Sequence, residues 1–410
     1  MQKPVEQDQP LVSVIIPNYN HAQYVGDAIR SVLTQEYRNF EIIVVDDGST
    51  DNSREVIARF GDQVQYIYQI NAGLSAARNT GIKASKGSLI GVLDADDMYE
   101  SIFMSTLVAV LQEHPDADGI YCGYQFVDHK DYLLPQVEAR PIAHDKLYAA
   151  LLDGNFFVPE SIFLRRHVYA AVGLFDETLR ACEDWDVWLR VAKQFKIINS
   201  TFILTRHRIL PGSMSTDPLR MLTYRLAVLH KHVGEEPVGN GGSSMVRRAY
   251  GRAYLGSCIE YLQYGNQDRA FECFQKMANV CPGLLIELDT FYQLGCGDQP
   301  KGSMGDLASL NVKRNSVPLI MMLKSLFADA GTEKAVRVLE RMASAKAYFA
   351  LGMLAYGTRE FQESRWFFTR AVFTDLKYLF NRELTSRWVK SLMSPKLVDF
   401  LKNFRHRLAA

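Results

Sequence analysis

The chain has 410 residues, enough for two to four domains at roughly 100–200 residues each. Hydrophobic residues make up 48% and charged residues 22%, a balance that excludes a disordered or collagen-like chain and a disulfide scaffold. The 46 basic and 46 acidic residues cancel to a formal net charge of +0, so no basic footprint covers the molecule and no nucleic-acid partner is expected.

Residues 1–10 read as a polar tail without the apolar stretch of a secretory signal. No run reaches the about 18 uninterrupted apolar residues that a membrane helix needs. The 6 cysteines include no Cys-x-x-Cys pair, which excludes zinc-ribbon and dithiol spacing and suits reduced thiols in a cytosol-facing protein. A cytoplasmic location is expected, with peripheral contact at the cytoplasmic face of the inner membrane left open.

From residue 11 the chain alternates branched apolar runs with amphipathic segments. Residues 11–16, 41–45, 64–68 and 88–93 are predicted strands, because β-branched side chains crowd a helix and pack well on a sheet. Between the first two, Tyr24, Ala28, Ile29, Val32 and Leu33 recur at helical spacing. Ser49 or Thr50 can cap a second helix carrying Val56, Ile57 and Phe60, and a third spans 74–84. Strand and helix in this rhythm predict a parallel sheet covered on both faces.

Such sheets bind ligands beyond the carboxyl ends of their strands. Polar residues follow each predicted strand there: Pro17, Tyr19 and Asn20; Asp46 and Asp47; Gln69 and Asn71; Asp94, Asp96 and Asp97. Four such clusters converge on one rim. The segment 115–220 is less regular, with apolar runs at 119–127 and 156–164 and a helix within 182–195. Beyond about residue 220 the pattern is helical throughout. The windows 251–284 and 345–378 resemble degenerate tetratricopeptide-like helix pairs, with a weaker one from Ser316, although an unrelated bundle would need the same small residues. A basic amphipathic tail over 381–410, split by Pro395, suits either an anionic membrane surface, an acidic partner or a cap on the last helices.

The stretches VSVIIPNYN (12–20), VVDDGSTD (44–51), NAGLSAARNTG (71–81) and LDADD (93–97) resemble the nucleotide-sugar-binding half of the inverting family 2 glycosyltransferases. The resemblance covers about the first 215 residues. It implies a GT-A-type, mostly parallel sheet with flanking helices over 11–219, with a donor half at 11–115 and an acceptor half at 116–219. An all-helical domain follows over 220–380.

The resemblance also implies roles. Pro17, Tyr19, Asn20 and Asn71 would shape the donor site, with Asp47 accepting from a uracil or thymine base and the donor-side Asp46 turned instead toward the sheet or ordering its own loop. Asp96 would be the main ligand of Mn²⁺ or Mg²⁺, with Asp94 at the ribose or the metal's solvent shell and Asp97 a less defined third acid. Arg78 and Asn79 would lie near the phosphates or donor sugar. In CEDWDVWLR (182–190), Asp184 matches the general base, Glu183 an accessory acid and Trp185 a sugar-facing aromatic, with Asp186 a competing carboxylate. After the next strand the family often places Arg, any residue, then His; this chain has Arg208 but Leu210 at the histidine position, and His207 lies upstream.

The expected activity is metal-dependent inverting transfer from a UDP-sugar, less favourably a dTDP-sugar, to a saccharide or lipid-linked hydroxyl. The helical domain would hold the acceptor assembly, a protein partner or a second copy. Two alternatives stand beside it. A sugar nucleotidyltransferase would carry a glycine-rich loop where this chain has PNYNHAQY. A non-catalytic nucleotide-binding domain with a helical interaction module would not need the full set of acids.

Overall fold

The computed structural model describes residues 9–237 and 241–391. The polar tail over 1–10 and the basic tail over 381–410 therefore lie largely outside the described residues. The chain forms two compact units, Met1–Gly234 and Glu235–Ala410.

In the first unit the strands are β1 (Val12–Asn18), β2 (Phe40–Asp46), β3 (Gln65–Tyr68), β4 (Leu89–Val92), β5 (Met98–Tyr99), β6 (Gly119–Val127), β7 (Leu133–Val137), β8 (Ile162–Arg165) and β9 (Ile197–Arg208). They form one sheet in the order β3-β2-β1-β4-β8-β6-β9-β5, with β7 beside β6. The pairs β1·β2, β1·β4 and β2·β3 are parallel, as the alternation in the donor half predicts. Beyond them the sheet is mixed, because β8 runs antiparallel to both β4 and β6 while β6 and β9 are again parallel.

The helices of this unit are α1 (Val25–Leu33), α2 (Ser53–Ala58), α3 (Leu74–Ala84), α4 (Phe103–Glu113), α5 (His144–Leu152), α6 (Arg166–Val172), α7 (Glu183–Ala192) and α8 (Pro218–Val233). α1 buries Val25, Ala28, Ile29 and Val32 on one face against Val12, Val14 and Ile16 of β1. That cluster continues through Phe103, Leu107 and Leu111 of α4, so the central strands are covered as continuous apolar runs require. α3 passes so close to β1 that a Cβ on Gly81 would meet Ile15 at 2.3 Å. The close approach sets where the N-terminus of α3 meets the rim.

The second unit is helical among its described residues: α9 (Ser244–Gln263), α10 (Gln267–Val280), α11 (Leu288–Gly295), α12 (Val312–Ala328), α13 (Lys334–Arg337), α14 (Glu340–Gly357), α15 (Phe361–Thr374) and α16 (Arg382–Ser391). The pairs α9–α10 and α14–α15 are helix hairpins in the two stronger windows. In the second, Gly352 lets the Phe368 ring approach α14, since a Cβ there would lie 2.5 Å from it. Ser364, standing where an alanine would be expected, is buried and donates its hydroxyl to the Gly352 carbonyl at 2.9 Å. The weaker window yields no hairpin: α13 has only 4 residues and Leu339 is already the N-cap of α14.

Candidate active site

The carboxyl ends of β1, β2 and β4 place the rim residues together. Asn20 takes φ 56°, and its amide oxygen accepts from the Thr50 N–H at 2.7 Å, tying the loops after β1 and β2. Asp46 accepts from the Ser49 N–H at 3.0 Å and the Tyr66 hydroxyl at 2.8 Å, which commits it to ordering its own loop. Asp47 is also buried: its carboxylate accepts from the Gln69 side chain at 2.6 Å and from the Ala72 and Gly73 N–H groups at 2.9 and 2.8 Å. It thereby fastens the segment leading into α3. Tyr19 and Asn71 are exposed on the same rim, and Pro17 lies buried in β1.

After β4 the chain carries Asp94, Asp96 and Asp97. Burial first, then its neighbours Asp97 and Asp94, push the Asp96 carboxyl up to about 7. No hydrogen bond or ion pair holds that carboxylate among the described residues. A half-buried acid raised by like charges is a donor set that a hard dication offsets, so Asp96 fits a Mn²⁺ or Mg²⁺ ligand. Asp94 is differently engaged: both of its oxygens accept from Arg78 Nη2, at 2.7 and 2.9 Å. Expected near the ribose or the metal's solvent shell, it is here ion-paired to a buried guanidinium.

Arg78 is the centre of the site. It is 1% exposed, stacks over the Phe175 ring and donates Nη1 to Glu183 Oε1 at 2.5 Å. Burial alone would lower its pKa, yet Asp94 and Glu183 hold it well above the usual guanidinium range. One cation thus joins the acid loop after β4 to the first turn of α7, residues 105 apart in sequence from Arg78 to Glu183. Arg78 and Asn79, expected near the phosphates or donor sugar, are both held by protein groups. Asn79 clamps the 175–177 loop, donating to the Phe175 carbonyl and Glu177 and accepting from the Phe175 N–H.

The acid-rich start of α7 sorts its carboxylates by direction. Asp184 is partly exposed and accepts from Asn155 Nδ2 at 2.8 Å; burial and the adjacent Glu183 push its carboxyl up to about 6. Asp186 turns the other way, fully buried against Arg190, Lys231 and His232 at 3.0, 3.0 and 2.8 Å, which holds it below the usual range. It braces α7 to α8 through these contacts. Trp185 does not face the rim either: it is 3% exposed and its indole N–H donates to the Leu151 carbonyl at 2.8 Å. Helical spacing sends position 185 into the α5–α7 contact while 184 stays on the open side.

At the end of β9, Arg208 serves the acid loop. Its N–H donates to Asp97 Oδ1 at 2.7 Å, its Nε to the Asp96 carbonyl at 2.8 Å and its Nη2 to Asp131 at 2.7 Å. His207 Nδ1 lies 3.1 Å from Asp97 and 2.9 Å from Glu160. The two acids hold His207 well above the ordinary imidazole range, while burial and Glu160 push Asp97 up to about 7. Asp97, Glu160 and His207 offer ligand atoms within 4.8 Å of one another, a set of the kind that holds metal ions. Sequence reading missed Glu160 and Asn155. Glu160 leaves one signal, a single acid inside the apolar run 156–164.

Residues 13–173 match the family described as Glycosyl transferase family 2. An uncharacterized glycosyltransferase of Rickettsia prowazekii is 35% identical over 222 residues, covering 52% of this chain and 68% of that protein. The uncharacterized glycosyltransferase EpsJ of Bacillus subtilis is 33% identical over 225 residues, covering 52% of this chain and 64% of that protein. Among solved structures, Staphylococcus aureus TarS 1–349 in complex with UDP aligns with TM-score 0.48 at 15% identity, over 86% of this chain and 91% of that one. A mannosyltransferase of Pyrobaculum calidifontis in complex with GDP-Man and Mn²⁺ aligns with TM-score 0.47 at 15% identity, over 86% and 88%.

The chain belongs to glycosyltransferase family 2, with an α/β unit followed by a helical region. It is a glycosyltransferase, an enzyme of sugar transfer. The family match ends before α7, so the acceptor-side acids rest on this chain's own geometry.

Proposed function

We propose that the protein transfers a sugar, with inversion, from a UDP-sugar to a hydroxyl of a saccharide or lipid-linked saccharide, and that a divalent cation is required. The observation that carries this reading is the Asp94–Arg78–Glu183 bridge. It holds the acid loop and the start of α7 as one rigid wall, with Asp96 and Asp184 left accessible beside it.

Asp96 would hold Mn²⁺ or Mg²⁺, which when bound neutralises the departing diphosphate. The remaining chemistry falls to protein groups. Asp184, raised to about 6, is ionised at neutral pH and close enough to the operating pH to take the acceptor hydroxyl proton efficiently. Asn155 donates to one of its oxygens and the Trp185 N–H to the other, at 2.8 and 2.7 Å, which orients the carboxylate. Arg78 pairs with Glu183 at 2.5 Å, which leaves Asp184 as the unpaired acid of the motif to take the proton. Tyr19 offers an aromatic face to the base.

The protein's place in this reading is a cytoplasmic, envelope-saccharide context. Among the described residues no helix is long and apolar enough to cross a membrane. The test is release of nucleotide from a panel of UDP-, dTDP- and GDP-sugars with Mn²⁺, with Mg²⁺ and with chelator. UDP-sugar turnover that disappears on chelation is expected. Turnover undiminished by complete chelation overturns the metal assignment, and no turnover of any donor favours the non-catalytic alternative.

A further inference from the structure

The first unit contains a cavity of about 470 Å³ whose wall includes Gly73, Ser75, Glu177, Arg180, Glu183 and Arg220. α3 begins there. Its N-cap is Gly73, at φ 98°, and no side chain caps the first turn. Asp47 takes the N–H groups of Ala72 and Gly73, but those of the first helical turn have no intrahelical acceptor and carry the positive end of the helix dipole.

Two further observations point to a ligand. Ser75 is 3% exposed and lines the cavity, yet its hydroxyl has no hydrogen-bond partner. A buried hydroxyl left unpaired costs about 1–3 kcal/mol, a penalty that an incoming acceptor atom removes. Arg180 has no ion pair or hydrogen bond among the described residues, and its guanidinium lies against the Gly73 backbone so closely that a Cβ there would come within 2.6 Å of Nη1. Arg220 has only a loose 3.9 Å contact with Asp217. The two acids of the wall are already engaged, Glu183 by Arg78 at 2.5 Å and Glu177 by Asn79 at 2.9 Å. Glu183 is thus neutralised by a cation, whereas Glu177 keeps its charge under a neutral amide, so two guanidiniums face one unpaired carboxylate across the cavity.

The cavity adjoins the donor residues only through Ala72 and Gly73, whose N–H groups Asp47 holds. None of Pro17, Tyr19, Asp47, Asp94 or Asp96 lines it, whereas Glu183, next to Asp184, does. We propose that the cavity binds an anionic group, a phosphate or carboxylate, carried by the acceptor, with Arg180 and Arg220 as its cations and the Ser75 hydroxyl as a donor. The assignment to the acceptor rests on the reading of Asp184 as the base that meets the acceptor hydroxyl. A guanidinium supplies a planar fork that matches either anion, and anchoring the charge here holds a neighbouring hydroxyl at the base.

The test uses the full chain and two probes, inorganic phosphate and glucuronate, titrated calorimetrically in the presence of chelator so that no metal-held diphosphate site contributes. Saturable binding of at least one probe is expected. Arg180→Gln and Arg220→Gln should each weaken it at least tenfold and Ser75→Ala severalfold, and the probe bound more tightly distinguishes phosphate from carboxylate. UDP with Mn²⁺ should bind the wild type and all three variants with equal affinity. Absence of saturable binding, or equal binding by wild type and both arginine variants, overturns the proposal. A fall in UDP affinity parallel to the fall in probe affinity also overturns it, by assigning the cavity to the donor. Failure of UDP to bind the wild type counts against the donor reading alone, and the probe titration decides the cavity separately.

Discussion

Asp184 and Arg78 show how a side chain's chemistry here is set by what surrounds it. Asp184 begins α7 between a paired acid and a buried indole, and burial raises it to about 6. On the proposal that Asp184 is the base, which acts only when ionised, turnover should fall as pH drops through about 6, roughly tenfold per unit below it. Asp184→Asn should lose about 10²–10⁴ in kcat while keeping donor affinity; a pH–rate profile and a donor titration on the same preparation check both. Loss of activity in Asp186→Asn with an intact Asp184→Asn would move the base to the wrong face of α7. Arg78→Met leaves Asp94 and Glu183 facing each other without their cation, and breaking such a buried pair costs about 3–5 kcal/mol. Urea unfolding should show that loss, and adding Glu183→Gln should recover part of it, since the uncompensated charge is what is costly.

At the scale of elements, small residues decide how closely neighbours approach. Gly81 brings α3 onto β1, and Gly352 admits the Phe368 ring between α14 and α15. Gly352→Val should destabilise the helical unit by about 1–3 kcal/mol, because the fully buried Phe368 has no free volume to move into. Thermal unfolding followed by helical circular dichroism measures it; an unchanged transition would mean that the hairpin repacks freely. The same logic explains Ser364. A hydroxyl is tolerated at a tight helix crossing because the Gly352 carbonyl accepts it.

At the scale of the whole molecule, the proposed cation site on the acid loop after β4 links metal binding to stability in a testable way. Three acids lie within four residues, and Arg78 offsets Asp94 but not Asp96. A dication that binds only the folded state stabilises it by about 2.7 kcal/mol at a hundredfold excess over Kd. Mn²⁺ should therefore raise the Tm of the wild-type chain, chelator should reverse the rise, and Asp96→Ala should abolish both the rise and transfer. An equal rise in Asp96→Ala would place the cation at Asp97, Glu160 and His207 instead.

By itself the sequence determined the strands of the donor half, the span of α3, the acid motifs on one rim and the two stronger helix hairpins. Each is a local pattern: apolar period, cap, turn residue, or a motif whose spacing is fixed by one strand and one loop. Only the tertiary structure decided what those residues face. Trp185 and Asp186 sit in the same motif as Asp184, yet the rotation of α7 against α5 and α8 sends one into the core and the other to a cluster of cations. Arg78 meets Asp94 and Glu183 through sheet order, and Glu160 reaches His207 because β8 is inserted between β4 and β6 rather than following β4 in sequence. Long-range pairing of this kind has no local signature, since the partner's distance along the chain is set by topology and not by the spacing of either residue.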